Sequence, residues 1–246
     1  MRPRIIAIQT ARANSKSVKK KNLIKINGEP IFLKNLKSAL KSKKIDKVVC
    51  STDDKYIIKL SKKYKYDIVE RPKYLRGDKA SHFETIKHAL LKSEKKYNTK
   101  FDIVILLLGN AVGNSSKVLN QAINKLKDND CVVSVSKFNM FNPFRAFYIT
   151  NKKKVVSIID IPKYKKLSKI QNKNDKNAFG DIYFFNGSFF IFKRSNFFIK
   201  SKQKPPFTWM GKNIVPFKQK TFFEIDDNWQ VDIVKKMSRD FKGEIK

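Results

Sequence analysis

Short runs of apolar residues alternate along the first half of the chain with segments in which apolar residues recur every three or four positions. The chain opens with such a run at Arg4–Gln9. The predominantly apolar run Phe101–Leu108 is typical of a central strand covered on both faces of a parallel sheet. Because the two patterns alternate, this half is predicted to be a series of βα units. Further strands are predicted at Lys47–Cys50, Asp67–Val69 and Cys131–Ser136, and helices around Leu33, Leu36 and Leu40, around Ile57, Leu60 and Tyr64, around Phe83, Ile86 and Leu90, and around Leu119, Ala122 and Leu126.

The pattern changes at Phe138 to aromatic-rich strand material. Strands are predicted at Ala146–Thr150, Val155–Ile159 and Ile182–Phe192. Between the last two lies the polar stretch Lys163–Asn177, for part of which, Gln171–Lys176, a disordered loop is the alternative. The final helix, which carries Trp229, Ile233, Met237 and Phe241 at four-residue spacing, is predicted to pack back on the sheet.

These elements predict one α/β domain over residues 1–246, with a three-layer α/β/α architecture and a mainly parallel sheet. Residues 138–192 are predicted to form a β-rich insertion that makes a dimer plausible. Two helix starts are also predicted, since Pro30 suits the first turn of a helix and Ser115 can cap the helix that carries Leu119.

The composition is strongly basic, with 55 Lys and Arg against 21 Asp and Glu and a formal net charge of +34. Such a charge ordinarily indicates a nucleic acid, an anionic membrane or another polyanion as partner. The excess is nearly all lysine and is spread along the chain, which favours solvated surfaces over a nucleic-acid footprint. A polyanion-binding protein stays open as an alternative.

Cysteine and histidine give no sign of a metal centre. Cys50 and Cys131 each border an apolar run and are predicted to be small buried strand residues. His82 and His88 have no ligand-like spacing to either cysteine, and His82 is interpreted as a surface or first-turn helix residue. No apolar run approaches membrane-spanning length and no signal-peptide pattern occurs at the N-terminus, so we expect a cytoplasmic protein without a membrane partner.

The loop after the first strand carries the most informative polar residues. In an open parallel sheet the ligand lies at the carboxyl ends of the strands, and here that end is followed by Arg12, Ser15, Lys16 and Lys21. Cations fixed in advance stabilise the charge that develops on phosphorus and pyrophosphate during nucleotidyl transfer. The loop therefore indicates phosphate binding, although a basic loop in so basic a chain can also be without function.

Several short motifs occur along nearly the whole chain in a specific order. They are Arg12 with Ser15-Lys16 and Lys21-Asn22, Gly28-Glu29-Pro30-Ile31, Val48 to Asp54, Arg71-Pro72 with Leu75, Asp78 and Ser81, Asn186-Gly187, and Glu224 to Asp227. Each motif is weak alone, since Ser-Thr-Asp is merely a helix-capping sequence. In this order and spacing they resemble the acylneuraminate cytidylyltransferases, the synthetases of CMP-sialic acid and their legionaminate, pseudaminate and Kdo relatives.

The resemblance implies an enzyme that transfers CMP from CTP to a sialic-acid-like sugar acid for surface polysaccharide synthesis, as a homodimer with Mg²⁺. It implies that Arg12, Lys16 and Lys21 hold the triphosphate and that Asp226, with Glu224, holds the metal. The other implied contacts are Ser15 and Asn22 to ribose or phosphate, Arg71, Ala80 and Ser81 to the base and sugar of CTP, and Asn110 and Asn186 to the sugar acid.

One departure concerns the sugar site. Many members have Gln-Pro-Thr-Ser-Pro after the central strand, whereas this chain has Leu108-Gly109-Asn110-Ala111-Val112, where Asn110 can replace the polar contact. The sugar can accordingly differ from N-acetylneuraminate. For Asp226 the alternative to metal binding is an N-cap role ahead of the last helix, the role preferred for Asp227. The alternative enzyme on the same fold is an NDP-sugar pyrophosphorylase.

Overall fold

The structure of the protein is a computed structural model that describes residues 2–13, 15, 17–77, 80–141, 143, 146–151, 153–159, 180–199, 209–220 and 223–240. The strands are β1 (Ile5–Ala11), β2 (Lys25–Ile26), β3 (Glu29–Pro30), β4 (Lys47–Thr52), β5 (Asp67–Glu70), β6 (Ile103–Leu108), β7 (Ala111–Val112), β8 (Cys131–Lys137), β9 (Phe147–Ile149), β10 (Val155–Ser157), β11 (Tyr183–Lys193), β12 (Ile214–Lys218) and β13 (Phe223–Glu224). The helices are α1 (Phe32–Leu40), α2 (Lys55–Tyr64), α3 (His82–Tyr97), α4 (Ser116–Leu126) and α5 (Asn228–Asp240).

A seven-stranded sheet in the order β12-β8-β11-β6-β1-β4-β5 forms the centre of the fold. Strand β1 pairs in parallel with β4 on one side and with β6 on the other, and β4 pairs in parallel with β5. Strand β11 is antiparallel to β6. The predicted α/β class with a mainly parallel sheet is therefore confirmed, and the strand order reverses at β1.

Alternate residues of β1 are buried on opposite faces of the sheet, which explains its unbroken apolar sequence. Ile5 and Ala7 belong to the core that the buried faces of α1 and α4 complete. Ile6 and Ile8, which are fully buried, point to the other face, where α3 packs against β1 and β4. Helices thus cover both faces, as the predicted three-layer architecture requires.

Side-chain caps begin three of these helices. Asp54 accepts hydrogen bonds from the backbone N–H groups of Tyr56 and Ile57, and Ser81 accepts one from Glu84. The predicted cap Ser115 accepts a hydrogen bond from Val118. These contacts satisfy N–H groups that have no partner within the first turn of a helix.

Two sequence predictions about helices are wrong in part. Helix α1 begins at Phe32, because Pro30 pairs with Lys25 in the β2–β3 hairpin. In α5 Val234 packs on the core at 1% exposure, with Val231 beside it, whereas Trp229 and Ile233 are 63% and 42% exposed. The helix therefore has two apolar stripes, and the stripe of smaller side chains faces the core. Phe241 lies outside the described residues.

The chain forms two compact units, one of residues 1–134 with 186–246 and the other of residues 135–185. In the second unit β9 and β10 pair antiparallel, and every residue of both strands is exposed. The polar stretch Lys163–Asn177 lies outside the described residues. The prediction of a single domain with an insertion at 138–192 stays a prediction.

Both cysteines are buried and free, and burial raises the pKa of the Cys50 thiol to about 12. The prediction that they are strand residues of the interior is confirmed. Across the described part of the chain, none of the helices combines the length and apolar character needed to cross a bilayer.

Candidate active site

A cleft lies at the carboxyl ends of β6, β1 and β4. Thr10 of β1 is in register with Leu108 of β6 and with Ser51 of β4, so the three strands end side by side. This is the place where strand order reverses and where open α/β sheets bind ligands. The cleft has a volume of about 260 Å³ and is lined by Thr10, Arg12, Lys21, Asn22, Arg71, Leu75, Gly77, Ala80, His82, Thr85, Leu108, Asn110 and Glu224.

The loop after β1 is held against the sheet by two side chains. Asn22 is buried and its amide donates a hydrogen bond of 2.8 Å to the carbonyl of Arg12. The carboxylate of Asp53 accepts one of 2.9 Å from the backbone N–H of Ala13. Gly109 permits this packing, since a β-carbon there would lie 2.9 Å from the Asn22 side-chain oxygen. The loop thus presents Arg12 and Asn22 to the cleft from a fixed support.

Arg71 is a buried cation at the end of β5. Its guanidinium donates to the side-chain oxygen of Ser51 at 3.1 Å and to the Ser51 carbonyl at 3.0 Å. Burial lowers the pKa of Arg71 and the charge of Asp53 opposes that shift, so the group stays a cation. A buried cation beside a cleft favours an anionic ligand there.

His82 is the first residue of α3, and its ring lines the cleft. Its Nε2 lies 3.2 Å from the Thr10 hydroxyl, and its ring packs edge to face on Trp209 with 5.8 Å between centroids. Burial, and secondarily the charge of Arg71, lowers the pKa of His82 to about 4, so the imidazole is neutral at pH 7. Of the two interpretations of His82, the first-turn helix residue is confirmed, and its half-buried ring lines the cleft rather than the outer surface.

Two carboxylates from the C-terminal region lie at the cleft, Glu224 in its lining and Asp226 beside the lining residue Lys21. Strand β13 pairs with β7, which places Glu224 beside Ala111. The carboxylate of Asp226 accepts a hydrogen bond of 2.8 Å from the Lys21 ammonium, 205 residues away in the chain. We call Arg12, Lys21, Asn22, Arg71 and His82 the basic wall, and Asn110, Glu224 and Asp226 the acidic wall.

Within the acidic wall, the pKa of Glu224 is raised. Burial, followed by the negative charge of Asp226, raises its pKa to about 7. Gly187 adopts a left-handed conformation with φ +70°, and a β-carbon there would lie 2.6 Å from Glu224 Oε2. Glycine at this position therefore gives the carboxylate its space. Glu224 is half-buried and Asp226 is exposed, and two carboxylates held by one amide suit a hard divalent cation.

The comparisons with known proteins agree with this geometry. A sequence model of the family described as cytidylyltransferase matches residues 6–233. The chain belongs to the cytidylyltransferase family. The family predicted from the sequence motifs is thus confirmed, and with it the assignment to a family of enzymes.

Two curated relatives share about a third of their aligned residues with this cytidylyltransferase chain. The N-acylneuraminate cytidylyltransferase of Escherichia coli O18:K1:H7 is 34% identical over 142 residues, or 56% of this chain and 33% of that protein. The pseudaminic acid cytidylyltransferase of Campylobacter jejuni strain NCTC 11168 is 33% identical over 184 residues, or 73% of this chain and 77% of that protein. The chain thus spans a third of the first relative and most of the second.

A solved structure extends the likeness to the whole fold. The CMP:2-keto-3-deoxy-manno-octonic acid synthetase complexed with CTP superposes with a TM-score of 0.67 over 97% of this chain and 99% of that one. Its sequence identity is 14%, so this likeness concerns the fold alone.

The cytidylyltransferase cleft brings together most of the residues singled out in the sequence. Lys21 and Asp226 are in contact, and the other predicted residues that line the cleft are Arg12, Asn22, Arg71, Ala80, Asn110 and Glu224. Their individual roles stay predictions.

Three predicted residues lie outside the lining of the cleft, and the placement of a fourth is not described. Ser81 caps α3 through its hydroxyl and is exposed, and Ser15 is half-buried outside the lining of the cleft. Lys16 lies outside the described residues. Asn186 is buried, where its amide donates to Gln219 at 3.2 Å and its oxygen accepts from the backbone N–H of Ser188 at 3.1 Å. Its predicted contact with the sugar acid stays a prediction.

Several residues that line the cleft were not predicted from the sequence, including the polar residues Thr10 and His82. A signal for His82 was present, because the capping residue Ser81 makes His82 the first residue of a helix that starts near the strand ends. Thr10 immediately follows the strand predicted at Arg4–Gln9, so its side chain belongs to the edge where the ligand is expected.

Proposed function

We propose that this chain transfers CMP from CTP to the anomeric hydroxyl of a sialic-acid-like 2-keto-3-deoxy sugar acid and releases pyrophosphate. The observation that supports this most strongly is the meeting of a basic and an acidic wall in one cleft, with Lys21 and Asp226 2.8 Å apart. The relatives named as cytidylyltransferases of N-acylneuraminate and pseudaminate support the class of sugar. A comparison of sugar acids as acceptors identifies the substrate.

The basic wall would bind and orient the nucleotide. Arg12 and Lys21 would hold the triphosphate, with Lys21 beside the transferred phosphate, and Asn22 would contact the ribose or phosphate. Arg71 and Ala80 would lie near the base and sugar of CTP. As the sugar hydroxyl attacks the α-phosphorus, its proton would pass to solvent and the bond from the α-phosphorus to the oxygen that bridges it to the β-phosphorus would break. The negative charge that moves to pyrophosphate would be stabilised by fixed cations without reorganisation.

We propose that Glu224 and Asp226 hold Mg²⁺. Their oxygens are the donors this ion prefers, and no three His, Cys, Asp or Glu side chains cluster among the described residues, so phosphate and water would complete the coordination. A bound Mg²⁺ would supply positive charge to the phosphates and to the pyrophosphate leaving group.

The decisive experiment measures pyrophosphate release with each of the four nucleoside triphosphates, with and without Mg²⁺. The acceptors are N-acetylneuraminate, pseudaminate, legionaminate and Kdo. We expect turnover with CTP, with one acceptor preferred, and none without a divalent ion. Turnover with UTP, GTP or TTP and a sugar 1-phosphate would instead identify a pyrophosphorylase. Absence of turnover together with steeply salt-dependent DNA binding would identify a polyanion-binding protein.

We also propose a homodimer formed through residues 135–185. Phe147, Tyr148 and Ile149 of β9 are 54%, 53% and 68% exposed, and Val155 of β10 is 64% exposed. Adjacent exposed apolar side chains of this kind mark an interaction surface. Light scattering should give twice the chain mass of 28.7 kDa, and Tyr148→Glu with Val155→Lys should give the monomer. A monomeric wild-type protein at micromolar concentration contradicts the proposal.

A further inference from the structure

The side-chain amide of Asn110 lies at the centre of the acidic wall. Its nitrogen is 3.1 Å from Glu224 Oε1, 3.0 Å from the Ile225 carbonyl and 3.2 Å from Asp226 Oδ1. An amide nitrogen carries two hydrogens, so three acceptors share them. Rotating the amide by half a turn would bring its oxygen against three oxygens, which fixes the orientation. One side chain thus holds three successive residues.

The main chain strengthens the same connection. The backbone N–H of Ile225 donates to the Asn110 carbonyl at 3.0 Å, and Glu224 pairs with Ala111 in the β7–β13 ladder. Asn110 is 6% exposed, so water competes weakly for these hydrogen bonds. The carboxylates are therefore fixed to the end of the central strand β6 rather than to a free C-terminal loop.

Asn110 contacts one oxygen of each carboxylate, Oε1 of Glu224 and Oδ1 of Asp226. The same Asp226 oxygen also accepts from Lys21, and Glu224 Oε2 packs against Gly187. An ionised carboxylate offers about four lone-pair sites on its two oxygens, so these hydrogen bonds leave sites at which a cation can bind. Groups that hold metal ligands by hydrogen bonds set the direction of those ligands and contribute to metal affinity.

We propose that Asn110 is a positioning residue, whose amide sets the spacing and direction of the Glu224 and Asp226 carboxylates so that both can bind one divalent cation. This replaces the contact with the sugar acid expected for Asn110 from the sequence. The proposal rests on the metal site of the proposed function. It differs from a sugar-binding role because it predicts an effect on the metal, with the sugar absent.

The test is Mn²⁺ binding to the CTP complex, followed by electron paramagnetic resonance of the free ion, without any sugar. Asn110→Ala is expected to weaken Mn²⁺ binding at least about tenfold, the usual effect of losing a group that orients metal ligands. The affinity for CTP in excess EDTA should change less than about threefold, because the phosphate contacts lie on the basic wall. Asn196→Ala is the matched control.

Asn196 is a suitable control because it is also buried and its amide also holds backbone carbonyls, those of Asp130 and Trp209. Its replacement should lower the unfolding temperature without changing Mn²⁺ affinity. If Asn110→Ala does not fold, Asn110→Asp, which keeps the shape and replaces donor by acceptor, is tested by thermal unfolding. Mn²⁺ should raise its unfolding temperature more than that of the wild type, since a third carboxylate joins the pair.

The outcomes separate the two proposals. If the wild-type complex binds Mn²⁺ and Asn110→Ala binds it within twofold, or Asn110→Asp shows the wild-type shift, the positioning role is overturned and the metal site stands. If the wild-type complex binds no Mn²⁺, the metal site and the positioning role both fall. If Asn110→Ala binds Mn²⁺ normally and loses affinity for the sugar acid alone, Asn110 is a sugar contact.

Discussion

The two walls of the cleft are built in different ways. On the basic wall three side chains have separate supports, Asn22 on the Arg12 carbonyl, Arg71 on Ser51 and His82 on Thr10. On the acidic wall both carboxylates lie within one three-residue stretch and share a single amide. The basic wall is therefore expected to tolerate the loss of one member without rearranging, whereas the acidic wall should respond as a unit.

The largest effect is expected from Lys21, the residue at which the walls meet. Lys21→Met should lower kcat about 10²- to 10³-fold, because it removes a fixed cation from the transferred phosphate. Its ion pair with Asp226 is partly exposed, so the free energy of unfolding should fall by less than about 1 kcal/mol. Steady-state kinetics and urea unfolding measure the two. Lys59→Met, on the exposed face of α2, is the control, and equal kcat in both variants contradicts the role of Lys21.

Gly187→Ala should damage the acidic wall next most severely. The new β-carbon would meet Glu224 Oε2 at a left-handed backbone position, at a cost of about 1 to 3 kcal/mol in the free energy of unfolding. Gly28→Ala is the control, because Gly28 also has a positive φ but an added β-carbon there would have no neighbour within 4 Å. Its cost therefore measures the backbone strain without a steric clash.

Shortening the acid should relieve the clash at position 187. In the background of Glu224→Asp, the cost of Gly187→Ala is expected to approach that of Gly28→Ala, as measured by a double-mutant cycle in urea. Additive costs would mean that the carboxylate and the glycine do not restrict each other, and that the acidic wall is less tightly built than its geometry indicates.

His82 gives the basic wall a dependence on pH. Its pKa falls from 6.5 to about 4 on folding, so the folded state resists protonation. The stabilisation is complete above the unfolded pKa of 6.5 and is lost as the pH falls towards 4, which amounts to about 2 kcal/mol at pH 5. Between pH 7 and pH 5 the free energy of unfolding should therefore fall by about 2 kcal/mol less in His82→Gln than in the wild type. Parallel curves for both proteins would show that His82 does not titrate in this window.

The smallest expected effect is a gain. The Asp226 carboxylate pairs with the Lys21 ammonium, so Asp226→Asn should leave this cation available to bind phosphate. CTP affinity in excess EDTA should rise about two- to fivefold, as an exposed ion pair contributes about 0.3 to 1 kcal/mol. Calorimetric titration measures it, with Asp232→Asn on α5 as the control. Weaker binding of metal-free CTP to Asp226→Asn would show that the pair does not compete with phosphate.

The strands around the cleft were predictable because burial on both faces demands apolar sequence, as in β1 and β6. The site was predictable where the motif is local, as at Arg12 and Asn22. The position of His82 at a helix start near the strand ends was predictable, but the direction of its ring was not, since a lone histidine after a cap has no pattern that distinguishes an outward from an inward ring. The buried face of α5 was not predictable either. Trp229 and Val234 both belong to possible apolar stripes of the helix, and tertiary packing determines which stripe is buried. The triple contact of Asn110 depends on a hairpin formed by distant segments.

The contact between Lys21 and Asp226 joins positions separated by 205 residues. The residues of the basic wall are therefore translated before either carboxylate of the acidic wall. Under the proposed function, the metal site is completed only after β13 has been synthesised and pairs with β7. A polypeptide that ends before β13 would carry the residues proposed to bind CTP and lack those proposed to hold Mg²⁺, so it would bind the nucleotide without turning it over.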